Sequence, residues 1–363
     1  MKNKIAIIEY GFLPGYFNIF ADLCKENGIK IDLFTFKTKT NFSDFAQNIY
    51  YLKSKCKRKS YESILEIEKE IKSLVNIDNY DYFLSDDLGL SFGCNVFHNI
   101  SLREKINLMP NFIYRKILEL GHYKKLKIEK EYYKNCPKIF VVSNYLKNDY
   151  HRNCNVDIEK IFVIYPGTNN KNFLLDKRKK NNEFTIGAIT CGFNTKGGYN
   201  ILGGLKKFIK KYPNIKIKVK IINPKFKKFS FLNLYLKLFK LDEIVEMLPY
   251  HKDINEFYKT LNCLICASNY EAFGRIVTES MSIGLPVIVA SNVGASDIIE
   301  DGENGFLFDA NENKYENLAD KIKEIYDKKD NLNALTQKAI MTANNLNWEN
   351  FARNIFDVLY KEN

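Results

Sequence analysis

Two carboxylates stand eight residues apart in SNYEAFGRIVTESMSIGLPVIV (268–289): Glu271, just ahead of a Phe-Gly pair, and Glu279, inside the helix predicted to follow. At 100° per residue, Ile276, Val277, Ser280, Met281, Ile283 and Gly284 fall on one broad side of that helix. Arg275, Thr278, Glu279 and Ser282 fall on the other. The first side is expected against a sheet and the second outward, with Gly284 permitting close approach. A helix start after Gly274 offers unpaired N–H groups and the positive end of the helix dipole, an arrangement suited to phosphate. A nucleoside diphosphate held there would set its ribose beside the first turns, where the Glu279 carboxylate can accept hydrogen bonds from both vicinal hydroxyls. Glu271 would then lie beyond the phosphates, where a sugar attached to them must sit. Taken singly, Glu279 is better explained as a solvated helix residue and Glu271 as a loop charge.

Three further places carry chemistry-capable residues. Lys196 in CGFNTKGGYNILGGLKKF (191–208) opens a helix directly after a strand and adds a full positive charge to that helix end, although it is one of 55 basic residues. His98 closes a strand in NVFHNISLREK (95–105), a position where a single histidine is more often structural. Gly11 and Gly15 in EYGFLPGYFN (9–18) flank the first strand-to-helix loop, where glycine lets a ligand approach the backbone. Asp86 and Asp87 are adjacent acids in a turn, read as solvated, and no metal is assigned to them.

These residues need strands and helices to position them. Apolar runs predict strands at 4–8, 30–36, 81–85, 94–98, 138–142 and 161–165, then at 183–190, 214–222, 244–247, 263–267 and 286–290. Helices are predicted between them, at 15–27, 111–134, 143–151, 197–211, 229–240, 253–260 and 274–284, with an amphipathic helix over 347–363. Such alternation implies parallel sheets covered by helices on both faces. The polar link DKRKKNNE (176–183) suggests two doubly wound domains, 1–175 and 183–346, with 347–363 as a terminal helix. Ligands of such sheets bind beyond the carboxyl ends of the strands.

The chain has 363 residues, 45% hydrophobic and 27% charged, a globular composition long enough for two cores. No apolar run would span a bilayer, and the stretch ending at Glu9 reads as a buried strand rather than an export signal. Eight cysteines form no framework and are expected as reduced thiols in the cytosol. Cys263-x-x-Cys266 lies in a strand pattern and lacks the second pair that a zinc site needs. A net charge of +12 favours anionic partners: nucleotides, nucleic acid or an acidic membrane face. Neither GFLPG nor GAITCGFNTKGG supplies G-x-G-x-x-G or a P-loop, which argues against a dinucleotide oxidoreductase and a P-loop NTPase. The charge alone keeps a second reading open, a non-catalytic or nucleic-acid-binding protein on a Rossmann-like scaffold. No recognisable nucleic-acid module supports it, and nucleic acid is not expected as a partner.

The stretch from Ser268 onward resembles the signature of retaining glycosyltransferases of family 4, of the kind that build bacterial lipopolysaccharide and cell-surface glycans. The matching residues are Ser268, Glu271, Phe273, Gly274, Glu279, Met281, Gly284, Pro286, Val287 and Gly294, followed by Asp301, Gly302, Asn304, Gly305 and Leu307 in a D-G-x-N-G-x-L close. Ser143, Pro166 and Gly167 are similar to the family's landmarks near the end of its first domain. The resemblance covers nearly the whole chain, strongly after 260 and weakly between 36 and 90.

This resemblance implies an α/β GT-B fold: two Rossmann-like domains facing a cleft, acceptor-binding first and nucleotide-sugar-binding second, with the C-terminal helix crossing back to the first. It implies that Glu279 holds the ribose and that Glu271 contacts the donor sugar. Backbone N–H groups around Phe273 and Gly274, with Arg275, would grip sugar and phosphate. Lys196 would stabilise the departing diphosphate, His98 would face the donor sugar, and the Gly11–Gly15 loop would line the cleft. It further implies a UDP- or GDP-sugar donor, a glycan or lipid-linked acceptor, hexosyl transfer with retention, and no metal or other cofactor. One departure stands out. The family usually carries an arginine shortly before the lysine, and 191–195 has none, so a base from elsewhere, such as Arg275, would have to stand in.

The segment 111–134 (NFIYRKILELGHYKKLKIEKEYYK) combines many bases with aromatic and aliphatic residues. From 113 to 120 the apolar residues cover one side and Arg115, Lys116 and Glu119 the other. An ordinary sheet-packing helix explains this, and so does docking on an anionic membrane. The second view predicts a cytoplasmic protein peripheral to the inner face of the membrane. The lysine-rich run 206–228 is explained by surface alternation.

Overall fold

The computed structural model describes residues 2–9, 15–36, 43–53, 61–109, 111–168, 183–226, 231–249 and 253–361. It divides into two compact units, Met1–Gly167 with Trp348–Asn363, and Thr168–Asn347. The predicted link at 176–183 falls, except for Glu183, outside the described residues.

The first unit runs β1 (Lys4–Glu9), α1 (Tyr16–Glu26), β2 (Lys30–Thr35), β3 (Asn48–Tyr51), α2 (Tyr61–Leu74), β4 (Tyr82–Asp86), β5 (Cys94–Phe97), α3 (Leu102–Asn107), α4 (Phe112–Gly121), α5 (Tyr123–Tyr133), β6 (Ile139–Val141), α6 (Asn144–Cys154) and β7 (Ile161–Val163). Its strands form one parallel sheet in the order β3-β2-β1-β4-β5-β6-β7. Central strands such as KIAIIE are near-continuous apolar runs because helices cover both of their faces. The order reverses between β1 and β4, which opens a crevice at their carboxyl ends.

The helix expected over 111–134 is two helices, α4 and α5. The break falls at Gly121-His122, where glycine's low helix propensity and the His122 backbone (φ −114°, ψ 13°) end the first. The C-terminal helix α13 (Trp348–Tyr360) packs on α1 of this unit. The Tyr16 ring lies 4.7 Å from Phe351 and 5.8 Å from Trp348, and Phe20 lies 6.0 Å from Phe356. Aromatic side chains buried in this way stabilise by roughly 1.5–3 kcal/mol each.

The second unit runs β8 (Phe184–Ile189), α7 (Gly198–Lys211), β9 (Ile217–Ile222), α8 (Phe231–Leu238), β10 (Val245–Leu248), α9 (Ile254–Lys259), β11 (Cys263–Cys266), α10 (Arg275–Ser282), β12 (Val287–Ala290), β13 (Phe306–Phe308), α11 (Lys314–Asp327) and α12 (Asn333–Asn345). The sheet order is β10-β9-β8-β11-β12-β13, all parallel. The reversal therefore lies between β8 and β11. Gly203 and Gly204 let α7 approach α11, since a Cβ at either would run into Tyr315 or Leu318. Among the described residues no helix is long and apolar enough to cross a membrane.

Candidate active site

Loops after β8, β11 and β12 meet at the reversal point of the second sheet and are tied to one another by hydrogen bonds. The Asn269 amide N–H donates to the Thr195 carbonyl at 3.0 Å, and its side chain donates to the Asn194 carbonyl at 2.7 Å. Asn200, buried in the first turn of α7, donates to the Ala267 carbonyl at 2.9 Å and to Asn269 Oδ1 at 2.8 Å. Asn292 donates to the Asn269 carbonyl at 2.6 Å, and Gly294 N–H donates to the Glu271 carbonyl at 3.0 Å. Gly197 has φ +71° and sits directly on the Ala267 carbonyl, where a Cβ would overlap the oxygen. Only glycine allows the two loops to come this close.

Both helices leaving these loops start without protein caps. α7 follows Gly197 and α10 follows Gly274 (φ +101°), and neither start has a side-chain cap or an acidic residue in its first turn. Each therefore presents N–H groups and positive dipole potential to whatever occupies the loop side. A Cβ on Gly274 would press on Val293 and on Glu271 Cγ, at 3.1 and 3.2 Å.

The structure brings Lys196 and Glu271 together: the lysine Nζ and the carboxylate form an ion pair and hydrogen bond, linking the β8 loop to the β11 loop. Ser268 Oγ lies 3.4 Å from the same Glu271 oxygen. Glu279 follows in α10, with Arg275 Nη2 at 3.6 Å. Arg275, expected as a stand-in for the missing arginine, is thus directed along its own helix toward Glu279. Burial raises the Glu279 pKa, while Arg275 and the nearby Tyr258 hydroxyl pull it down less strongly. The buried Tyr258 hydroxyl and Ser280 Oγ make no hydrogen bond of normal geometry with the described residues. Phe273 buries its side chain, and its carbonyl accepts from the Ala295 N–H at 2.6 Å. Thr278 was expected to face outward. It is fully buried, its hydroxyl donating to the Arg275 carbonyl at 3.0 Å, which lets a polar residue sit on the packed face.

His98 and Gly15 belong to the first unit. His98 follows β5, its Nε2 3.3 Å from Asp86 Oδ1 and its backbone N–H donating to Asp87 Oδ1 at 3.2 Å. Asp86 also accepts from the Tyr16 hydroxyl at 2.8 Å. The adjacent acids are therefore bound acceptors that orient the histidine, not merely solvated charges. Gly15 starts α1 at φ −57°, with nothing within 4 Å of a Cβ, so sterics do not require glycine there. Gly11 lies outside the described residues. Among the described residues no group of three or more His, Cys, Asp or Glu is placed to hold a metal ion. Cys263 and Cys266 are buried free thiols whose pKa burial raises.

Sequence reasoning missed Asn200, Tyr258, Asn292 and the Asp86–His98 pairing. Asn200 did leave a signal, a lone polar residue on the apolar side of a helix directly after Lys-Gly-Gly.

The two parallel sheets with helices on both faces define a GT-B class fold. The WaaG structure, a glycosyltransferase involved in lipopolysaccharide biosynthesis, is similar over 98% of this chain and 99% of that chain, with a TM-score of 0.65 and 15% identity. Anabaena Alr3699/HepE, solved in complex with UDP-glucose, is similar over 99% of both chains, with a TM-score of 0.62 and 16% identity. Residues 177–342 match the family described as "Glycosyl transferases group 1". The capsular polysaccharide biosynthesis glycosyltransferase CapM of Staphylococcus aureus is 26% identical over 178 residues, 46% of each protein. The chain spans about half the length, or less, of the curated relatives it matches.

Proposed function

We propose that this protein is a retaining, metal-independent hexosyltransferase that moves a sugar from a UDP- or GDP-sugar to a glycan or lipid-linked acceptor in cell-surface polysaccharide or lipopolysaccharide synthesis. One observation carries this reading: Lys196 and Glu271 are paired beside the uncapped start of α10, and Glu279 stands in the next turn. A diphosphate would lie against the α10 N–H groups and Lys196, its ribose on Glu279 and its sugar toward Glu271. As the bond from the anomeric carbon to phosphate oxygen breaks, negative charge gathers on the diphosphate. A lysine and helix-end N–H groups that are already in place stabilise that charge without reorganising. His98, oriented by Asp86, is the residue of the first unit assigned to the donor sugar. The names of CapM, WaaG and HepE support the substrate class. The test is release of nucleoside diphosphate from a panel of UDP- and GDP-hexoses, with water as a slow acceptor. Absence of release above the enzyme-free rate across the panel would overturn the reading.

Peripheral docking on an anionic membrane belongs to the same proposal. No residue of α4 is buried, and Ile113, Ile117 and Leu120, which share one stripe, are 69%, 58% and 80% exposed. Lys124, Lys125, Lys127 and Lys130 follow on α5. An apolar stripe beside exposed lysines matches a headgroup layer, with acyl chains beneath acidic phosphates. Replacing Ile113, Ile117 and Leu120 together by serine is expected to weaken binding to phosphatidylglycerol vesicles by ~10-fold or more, with little binding of either protein to phosphatidylcholine. Equal vesicle binding by the variant and the wild type would refute the docking.

A further inference from the structure

The second unit carries an exposed apolar stripe of its own, on a helix that no role assigned above uses. In α8, Phe231, Leu234 and Leu238 are 77%, 62% and 71% exposed. At 100° per residue these three fall within about 60° of one another, along one side of the helix. Leu232 and Leu236 fall on the far side and are buried. The helix is thus anchored to its unit by that far side, and the stripe adds nothing to the packing. Large apolar side chains grouped on an already anchored helix mark an interaction surface.

Lysines border the stripe. Lys237 falls about 60° from Leu234 around the helix. Lys225 precedes α8 and Lys240 follows it, both exposed, and Lys206 of α7 sets its Nζ 3.6 Å from the centre of the Phe239 ring. Lys207, Lys211 and Lys218 are neutralised by Glu316, Asp320 and Glu246. Lys206, Lys225, Lys237 and Lys240 form no ion pair with the described residues. The carboxylates nearest along the chain, Asp242 and Glu243, lie beyond the helix and are outnumbered. From Pro224 to Leu241 the sequence holds five lysines and no acid. A second copy of this chain would bring two such rims together, and nucleic acid has no apolar layer to receive Phe231 and the leucines. An acidic bilayer supplies both parts: acyl chains for the stripe, and phosphates for ammonium groups whose long stems reach the headgroups. Eight residues rise only about 12 Å, a length that lies in the interface and cannot span it.

We infer that α8 is a membrane contact of the second unit itself, with Phe231, Leu234 and Leu238 entering the acyl boundary of an anionic bilayer and Lys225, Lys237 and Lys240 resting on its phosphates. This contact needs neither the donor reading nor the docking of α4. The test is binding of the full chain to phosphatidylglycerol and to phosphatidylcholine vesicles, for the wild type, for Phe231→Ser/Leu234→Ser/Leu238→Ser and for Lys237→Glu/Lys240→Glu. Each variant is expected to bind phosphatidylglycerol vesicles ~10-fold or more weakly, and none of the three proteins to bind phosphatidylcholine appreciably. Both variants should melt with the wild type, because every replaced side chain is exposed. Hydrogen exchange then places the contact: α8 amides should slow on saturating phosphatidylglycerol vesicles, in the wild type and equally in Ile113→Ser/Ile117→Ser/Leu120→Ser. Equal vesicle binding by the wild type and either α8 variant would overturn the inference, and so would α8 amides that exchange as fast with vesicles as without. A wild-type dimer in sedimentation that the α8 serine variant turns into monomer would overturn it too, since a second copy would then cover the stripe.

Discussion

Glu279→Ala is expected to weaken UDP or GDP binding by ~10-fold or more, because charge-assisted hydrogen bonds are worth about 1.5–3 kcal/mol each and a ribose offers two. The same carboxylate predicts how binding depends on pH. Burial holds its pKa above the usual glutamate range in the free protein. The ionised form accepts from both ribose hydroxyls, and more strongly than the neutral acid, so affinity should fall as pH drops through that raised pKa, and Glu279→Gln should abolish this dependence. The stability sign runs the other way. A raised carboxyl pKa favours the folded protein fully below the ordinary glutamate pKa, and the gain is lost as pH rises through the raised value. Without ligand at neutral pH, Glu279→Gln should therefore melt higher than the wild type while binding nucleotide less well. Calorimetry and melting curves between pH 4 and 8 read both effects. A nucleotide affinity that is the same in wild type and alanine variant would remove Glu279 from the ribose.

Lys196→Ala is expected to reduce turnover by ~10²–10³-fold, the scale for losing one preorganised group that stabilises transition-state charge. The ion pair adds a second consequence. Without the lysine, the Glu271 carboxylate is left uncompensated next to the intended diphosphate position, so donor affinity should fall as well. Restoring neutrality with Lys196→Ala/Glu271→Gln should recover part of the affinity but none of the turnover. Nucleoside diphosphate release measured across donor concentrations separates the two. Turnover within threefold of wild type in Lys196→Ala would mean that the lysine only ties the loops together.

The contrast between what sequence conveyed and what it hid is clearest in particular elements. β8, β11 and β12 were legible because each is an apolar run bounded by polar turns, and a doubly wound sheet buries such runs on both faces. β3 is a short edge strand with no fully buried residue, and it left no comparable pattern. The amphipathic character of α4 was plain from its periodicity, yet periodicity says only that one side is apolar, not whether that side is covered. Thr278 was placed outward because a hydroxyl reads as polar, and the structure buries it by satisfying that hydroxyl on the helix backbone.

For the site, local sequence determined what the chain itself joins: the Glu271–Glu279 spacing, the glycine before α10, and the lysine opening α7. Residue types and helical pitch suffice for these because the distances involved are a few covalent steps. Only the tertiary structure decided the pairing of Lys196 with Glu271, the clasp by Asn200 and Asn292 and the Asp86 hold on His98. Each depends on strand order in a parallel sheet, which brings residues distant in sequence side by side and leaves no periodic trace along the chain.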